Sequence, residues 1–175
     1  TTPPFRAAVR LNSGVRWQMK LIARIVVVLL VTVMAPAAQA NPPAELCRAL
    51  RAFVESVRPD ETREITFRTS WGSNFKDATE PAMRAKRCEH GEYEPAKRGC
   101  AYLIEHGPTE FSDITVKDSI SCLSRKTKFD GRLHINSGEF SFSYGSENRG
   151  ALIEIYFAED KVIGGDAFRL VADGY

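Results

Sequence analysis

The chain has 175 residues and a formal net charge of +2, but five of its 24 basic residues and none of its 22 acidic residues lie within positions 1–40. Without that segment, 135 residues remain, enough for one domain, with a net charge of −3. This balance argues against a nucleic-acid partner, because neutralising phosphates requires a basic excess on one face.

Residues 19–40 have the composition of a cleavable secretory signal peptide. A short basic region begins at Met19, an apolar stretch runs over residues 25–34, and the small residues Ala38 and Ala40 suit a signal peptidase. The apolar stretch of about ten residues is shorter than the roughly 20 that a membrane span needs, so we predict no stable membrane anchor after processing. The mature protein is expected to begin at Asn41, and residues 1–18 are interpreted as an upstream extension that is not native mature sequence.

The four cysteines all lie in the predicted mature domain, residues 41–175: Cys47, Cys88, Cys100 and Cys122. An even number in an exported chain predicts two disulfides and a periplasmic or secreted protein. No two cysteines have the close spacing of a zinc site, and no cofactor motif is present, so neither a metal nor a cofactor is predicted.

The first predicted element is an amphipathic helix that opens at Ala44 and stops before Pro59. Its apolar stripe consists of Leu46, Cys47, Leu50, Phe53, Val54 and Val57. Residues 64–71 alternate between apolar and polar side chains and predict a half-buried strand. Ile65, Phe67, Thr69 and Trp71 lie on one face of that strand.

Two short helices are predicted next, over residues 80–90 and 94–106. Each opens with Glu-Pro-Ala and closes with His-Gly, which are start and stop signals for a helix. Cys88 lies near the end of the first helix and Cys100 near the start of the second, so an antiparallel helix hairpin predicts the disulfide Cys88–Cys100. The remaining pair is Cys47–Cys122.

The rest of the chain predicts strands. They cover residues 119–123, 133–135, 139–144, 151–158 and 167–172, with a tight turn at 136–138. The predicted fold class is therefore α+β: an antiparallel β-meander of about five strands packed against an N-terminal helix and a short helix pair. We expect Cys122 to lie on a central strand that faces the stripe containing Cys47.

No catalytic motif is present, and the histidines have structural interpretations. His90 and His106 are predicted at helix C-termini, where the helix dipole favours a cation, and His134 on the polar side of a strand. Two basic clusters, at residues 84–87 and 125–128, could meet an acidic partner or a lipid headgroup, but also fit ordinary solvated surface.

The segment 68–76 is the candidate binding surface, because it combines aromatic, small polar and cationic residues around a glycine turn. Its tentative binding residues are Arg68, Trp71, Asn74, Phe75 and Lys76. The alternative for Trp71 is a structural one, in which the indole caps the core at the end of its strand.

These features favour a small exported protein-binding module, such as an inhibitor or immunity-type protein whose partner is another envelope protein. One alternative is a small-ligand carrier with a pocket between sheet and helices. Another is a small envelope enzyme that uses carboxylates near the helix pair. The candidates for that role are Glu89, Glu92, Glu94 and Glu105.

Overall fold

The computed structural model describes residues 41–175, so the predicted extension at 1–18 and signal peptide at 19–40 lie outside the described residues. The helices are α1 (Ala44–Ser56), α2 (Glu94–His106) and α3 (Asp113–Leu123). The strands are β1 (Thr62–Trp71), β2 (Arg84–Glu89), β3 (Gly138–Ser146), β4 (Arg149–Glu159) and β5 (Asp166–Gly174).

The five strands form one antiparallel sheet in the order β2-β1-β5-β4-β3. Strands β3, β4 and β5 are consecutive neighbours, which confirms the predicted α+β class with a meander-like antiparallel sheet. Strand β1 joins the meander beside β5, and β2 forms the edge next to it.

One face of the sheet carries the core. Cys88, Phe67, Phe168 and Phe157 are neighbours across four strands. The three phenylalanines belong to the core cluster, and the half-buried Cys88 packs against it. Helix α1 packs on this face through the stripe that the sequence predicts, with Phe53 fully buried. No helix of residues 41–175 covers the opposite face, which we call the helix-free face. It carries mostly polar side chains and a few buried apolar ones such as Val171.

The predicted helix at 80–90 is wrong, because residues Arg84–Glu89 form the edge strand β2. They pair with β1 from Thr66 opposite Glu89 to Trp71 opposite Arg84. Helix propensities differ by only a few tenths of a kcal/mol per residue, so the hydrogen bonds of a neighbouring strand outweigh them. His90 therefore follows a strand, whereas His106 is the last residue of α2, as predicted.

The predicted strand at 119–123 is also wrong, since these residues form the C-terminal half of α3. Val116, Ile120 and Leu123 are all buried, and their spacing of four and three residues is that of a helix. The alternation of Ile120 with Cys122 fits a strand only because a window of five residues is too short to separate the two periods.

The predicted hairpin with a turn at 136–138 is a third correction. Residues 133–135 form no strand, and His134 lies in a loop. The hairpin joins β3 to β4, with its turn at residues 147–148. The turn signal at 136–138 marks the entry of the chain into β3 instead.

Two disulfides connect separate elements: Cys47 to Cys122 joins α1 to α3, and Cys88 to Cys100 joins β2 to α2. These are the expected pairs in different surroundings. Cys122 lies on a helix and not on a central strand, and Cys88 lies on β2 and not in a helix hairpin. A strand laid against a helix brings two β-carbons together as readily as two helices do.

Candidate functional site

At one end of the sheet, β1 and β4 finish while β2, β3 and β5 begin. Of the nine large apolar side chains that are exposed among the described residues, seven lie at this end of the sheet, in loops, at helix ends or at the last residue of β1. We call this set the apolar rim. It consists of Trp71, Met83, Ile104, Phe111, Ile114, Leu133 and Val162.

Two hydrogen bonds order the part of the rim that contains Trp71, Met83 and Ile104. The N–H of Gly72 donates to the carbonyl of Met83 at 2.9 Å, which places Met83 beside the end of β1. Lys86 Nζ donates to the carbonyl of Ile104 at 3.0 Å. The Lys86 bond joins β2 to α2 and the Gly72 bond closes the 72–83 loop, so this part of the rim draws on more than one element.

A groove of about 500 Å³ lies on the β2 side of the rim, between Arg84, Lys86, Glu105 and the loop at residues 107–109, with two cations and one acid in its lining. Lys86 Nζ also lies 3.4 Å from the carbonyl of Glu105, so it neutralises the negative end of the α2 dipole. Burial lowers the pKa of Lys86. Arg84, which lies opposite Trp71, is an exposed cation at this groove.

An acidic cleft of about 370 Å³ lies on the β4–β5 side. Its carboxylates are Glu110, Asp113, Glu159 and Asp166. The Ser112 hydroxyl donates to Asp166, while Asp113 accepts from Lys117 Nζ at 2.9 Å and from the N–H of Ile135 at 3.3 Å. These bonds hold α3 and the loop before β3 onto the sheet.

The two clefts give the rim a positive side and a negative side. Such an arrangement fixes the orientation of a charged partner more than it adds affinity. A protein surface with apolar groups between an acidic and a basic group would be complementary to it.

Of the tentative binding residues, the structure leaves Trp71 and Lys76 exposed, and four of the five, Lys76 among them, make internal contacts. Trp71 is 54% exposed, so it does not cap the core. Asn74 Nδ2 donates to the carbonyl of Glu80 at 2.6 Å, within the loop. Lys76 Nζ donates to the carbonyl of Lys161 at 2.7 Å, and the backbone N–H of Lys76 donates to the carbonyl of Ile163 at 2.7 Å.

Phe75 is buried on the helix-free face, outside the main core cluster. The guanidinium of Arg87 lies over its ring at 4.9 Å and bonds both carboxylate oxygens of Asp77, at 2.7 and 3.0 Å. This bidentate pair lowers the pKa of Asp77. The 72–83 loop is thus fastened over the sheet, and the predicted basic cluster at 84–87 is divided between the two faces of β2.

Arg68 lies on the helix-free face between two acids. Its Nη1 donates to Glu89 at 2.7 Å and its Nε to Asp160 at 3.1 Å, and its side chain is only 16% exposed. Asp160 also accepts the N–H groups of Val162 and Ile163, at 3.0 and 2.9 Å. The N–H of Ile163 and the Arg68 guanidinium are the main groups that lower the pKa of Asp160.

We therefore predict that Asp160 makes stability depend on acid pH. Since its pKa is lower in the folded protein, its contribution is present above about pH 3.9, the pKa of an unfolded Asp, and is lost as the pH falls through the folded value. In Asp160→Asn the loop acceptor is kept but the charge is removed. Urea melts between pH 7 and pH 3 should give a flatter pH dependence for Asp160→Asn than for the wild type, and parallel curves would contradict the assignment.

The carboxylates proposed for an enzyme do not share a cleft. Glu89 pairs with Arg68 on the helix-free face, and Glu94 at the start of α2 lies 3.7 Å from Lys97. Glu105 lies near the other end of the same helix, 3.7 Å from His106. Glu92 follows β2 in an exposed turn.

The carrier alternative requires space between sheet and helices, where the large apolar side chains of the core pack. An open groove of about 420 Å³ lies instead on the outside of the helices, between α1 and α2. It is lined by Ala49, Ala52, Ala101 and Tyr102, with charged residues at its margins. The Tyr102 ring lies 4.8 Å from the His106 ring, and burial raises the pKa of Tyr102.

Sequence reasoning missed most of the rim. Phe111, Leu133 and Val162 are large apolar residues within polar loops. Their presence there is visible in the sequence, but they follow no helical or strand period and so predict no element or surface. Asp113 and Asp166 were missed because they are distant in sequence and meet only in the fold.

Comparison with known proteins finds no family model, curated protein or solved structure that matches this chain. No helix in residues 41–175 is long and apolar enough to cross a membrane. Within the same residues, no group of three or more His, Cys, Asp or Glu side chains is arranged to hold a metal ion.

Proposed function

We propose that the mature chain is an exported protein-binding module that docks another envelope protein through the apolar rim. The observation that supports this most is the gathering of seven of nine exposed large apolar side chains at one end of the sheet. Monomeric proteins rarely expose large apolar patches without an interaction to cover them. An inhibitor or immunity-type protein is the class that this proposal favours.

The composition of the rim supports a protein partner. Trp71, Phe111 and Met83 are of the types enriched at protein interfaces, and Arg84 lies beside them. The acidic cleft next to Phe111 suits a lysine or arginine on the partner. We therefore expect a partner surface with apolar side chains and at least one basic residue.

The compartment is part of the proposal. Two disulfides fit an oxidising environment, and the signal-like segment at 19–40 supports export to the periplasm or beyond. The partner is accordingly sought in the cell envelope.

Trp71→Ala should weaken partner binding by roughly 30-fold or more, as removal of an interface hot spot does, while changing the free energy of unfolding by less than about 1 kcal/mol. The small stability effect follows from the 54% exposure of Trp71. A partner captured from envelope extract by the wild-type protein is titrated against each variant by calorimetry, with thermal melting alongside.

Leu152→Ala is the matched control, because Leu152 is an exposed apolar residue on the helix-free face, outside the rim. It should leave the affinity unchanged. Equal affinities for Trp71→Ala, Phe111→Ala and the wild type would refute docking through the rim.

A further inference from the structure

The two edge strands of the sheet differ in how their outer backbone is protected. In β2, four of six residues are charged, and a disulfide joins the strand to α2. Strand β3 has nine residues and a single charged one, Glu139, with no proline or lysine. Natural sheets protect exposed edges with charges, prolines or short strands. Strand β3 lacks this protection, as expected of a strand that pairs with another chain in the functional protein.

The hydrogen bonds of β4 determine which groups of β3 face outward. Gly150 and Tyr175 exchange two backbone bonds, of 3.2 and 3.0 Å, so Gly150 and every second residue after it face β5. The residues between them face β3, and their partners there are Phe140, Phe142 and Tyr144. The backbone groups of Glu139, Ser141 and Ser143 therefore point away from the sheet.

These outward groups are available for pairing. Among the described residues, no backbone hydrogen bond connects β3 to any segment except β4. On the helix side, the rings of Phe140, Phe142 and Tyr144 pack against the core but are only half-buried. The edge thus combines free backbone groups with an incompletely covered aromatic stripe.

We propose that β3 is a homodimer interface, where β3 of a second copy pairs with it antiparallel across a two-fold axis at Ser141. In this register Ser141 faces its own copy, and Glu139 faces Ser143 of the other chain. The three outward residues would form about six hydrogen bonds. Phe140 would lie across from Phe142 of the second copy, which extends both aromatic stripes.

A second copy fits because the strand is complementary to itself. The two Glu139 side chains would be separated by four residues along the strand, roughly 14 Å at about 3.4 Å per residue. That separation exceeds the screening length of about 8 Å at physiological ionic strength. No like charges meet across the axis, and the paired strands make one continuous sheet.

Sedimentation equilibrium of the secreted, disulfide-bonded protein tests the proposal. The wild type should sediment as a dimer in a concentration-dependent way. Ser143→Pro removes an outward N–H and leaves the bonds to β4 in place, so it should sediment as a folded monomer. A monomeric wild type, or a Ser143→Pro variant that is folded and still dimeric, would overturn the proposal.

Two substitutions of opposite charge at Ser143 test the register. Ser143 is exposed and lies opposite the uncharged Leu152 within its own sheet. Ser143→Glu would place an acid against Glu139 of the other copy at two symmetric positions and should weaken the dimer about tenfold, whereas Ser143→Lys should maintain or strengthen it. Equal dissociation constants for the two variants would exclude this register.

Discussion

Replacing Cys47 and Cys122 together with alanine should lower the free energy of unfolding by about 4–5 kcal/mol. The bond joins positions 75 residues apart, and in the chain-entropy model the loss grows with the length of the closed loop. It links α1 to α3, and Arg51 donates two further bonds, at 3.0 and 2.9 Å, to the carbonyl of Cys122. Since small domains are stable by only about 5–15 kcal/mol, this variant should approach global instability.

Alanine is the appropriate replacement because Cys122 is fully buried and a serine hydroxyl there would lack a partner. The double replacement of Cys88 and Cys100 is the control: its loop spans 12 residues, so the expected loss is about 3 kcal/mol. Guanidinium unfolding of both variants measures the two losses. A larger loss for the Cys88–Cys100 variant would show that loop length does not control the contribution of these bonds.

Phe168→Ala should cost about 3–5 kcal/mol, because it opens a cavity at the centre of the core face. Phe168 is 2% exposed and lies between Phe67 and Phe157 in neighbouring strands. Surrounding strands fixed by hydrogen bonds on both sides can collapse only partly into the space. Thermal and guanidinium unfolding both give the loss.

Phe111→Ala removes the same side chain from a position that is 53% exposed, so its cost should stay within about 1 kcal/mol. Comparing the two variants separates core packing from rim exposure. Similar losses would mean that Phe111 supports the fold and would remove it from the proposed docking surface.

The candidate binding segment illustrates the limit of sequence reasoning about sites. Arg68, Trp71 and Phe75 have the residue types of an interface, yet only Trp71 is largely exposed, while Arg68 is paired with acids and Phe75 lies under Arg87. Residue type reports what a side chain can do, but its neighbours decide whether it is available. Asp160, the neighbour of Arg68, is distant in sequence, and Arg87, the neighbour of Phe75, lies beyond the rest of the 72–83 loop.

The sequence by itself determined the elements with long and regular periods. The stripe of α1 and the alternations of β1, β4 and β5 each extend over enough residues for one period to exclude the other. The even number of cysteines was sufficient to predict two disulfides. The pairs themselves were predicted correctly, but from a helix hairpin and a central strand that the structure replaces with strand β2 and helix α3.

Tertiary structure decided the elements whose local signals are short. Residues 84–89 became a strand because β1 offered its unpaired edge, and residues 119–123 stayed helical because Val116 and Ile120 bury against the sheet from one helix face. It also decided the apolar rim, whose members are distributed in sequence from Trp71 to Val162 and share one end of the sheet, where β1 and β4 finish and β2, β3 and β5 begin. Exposure and proximity depend on the whole packed chain, and no local window of sequence contains them.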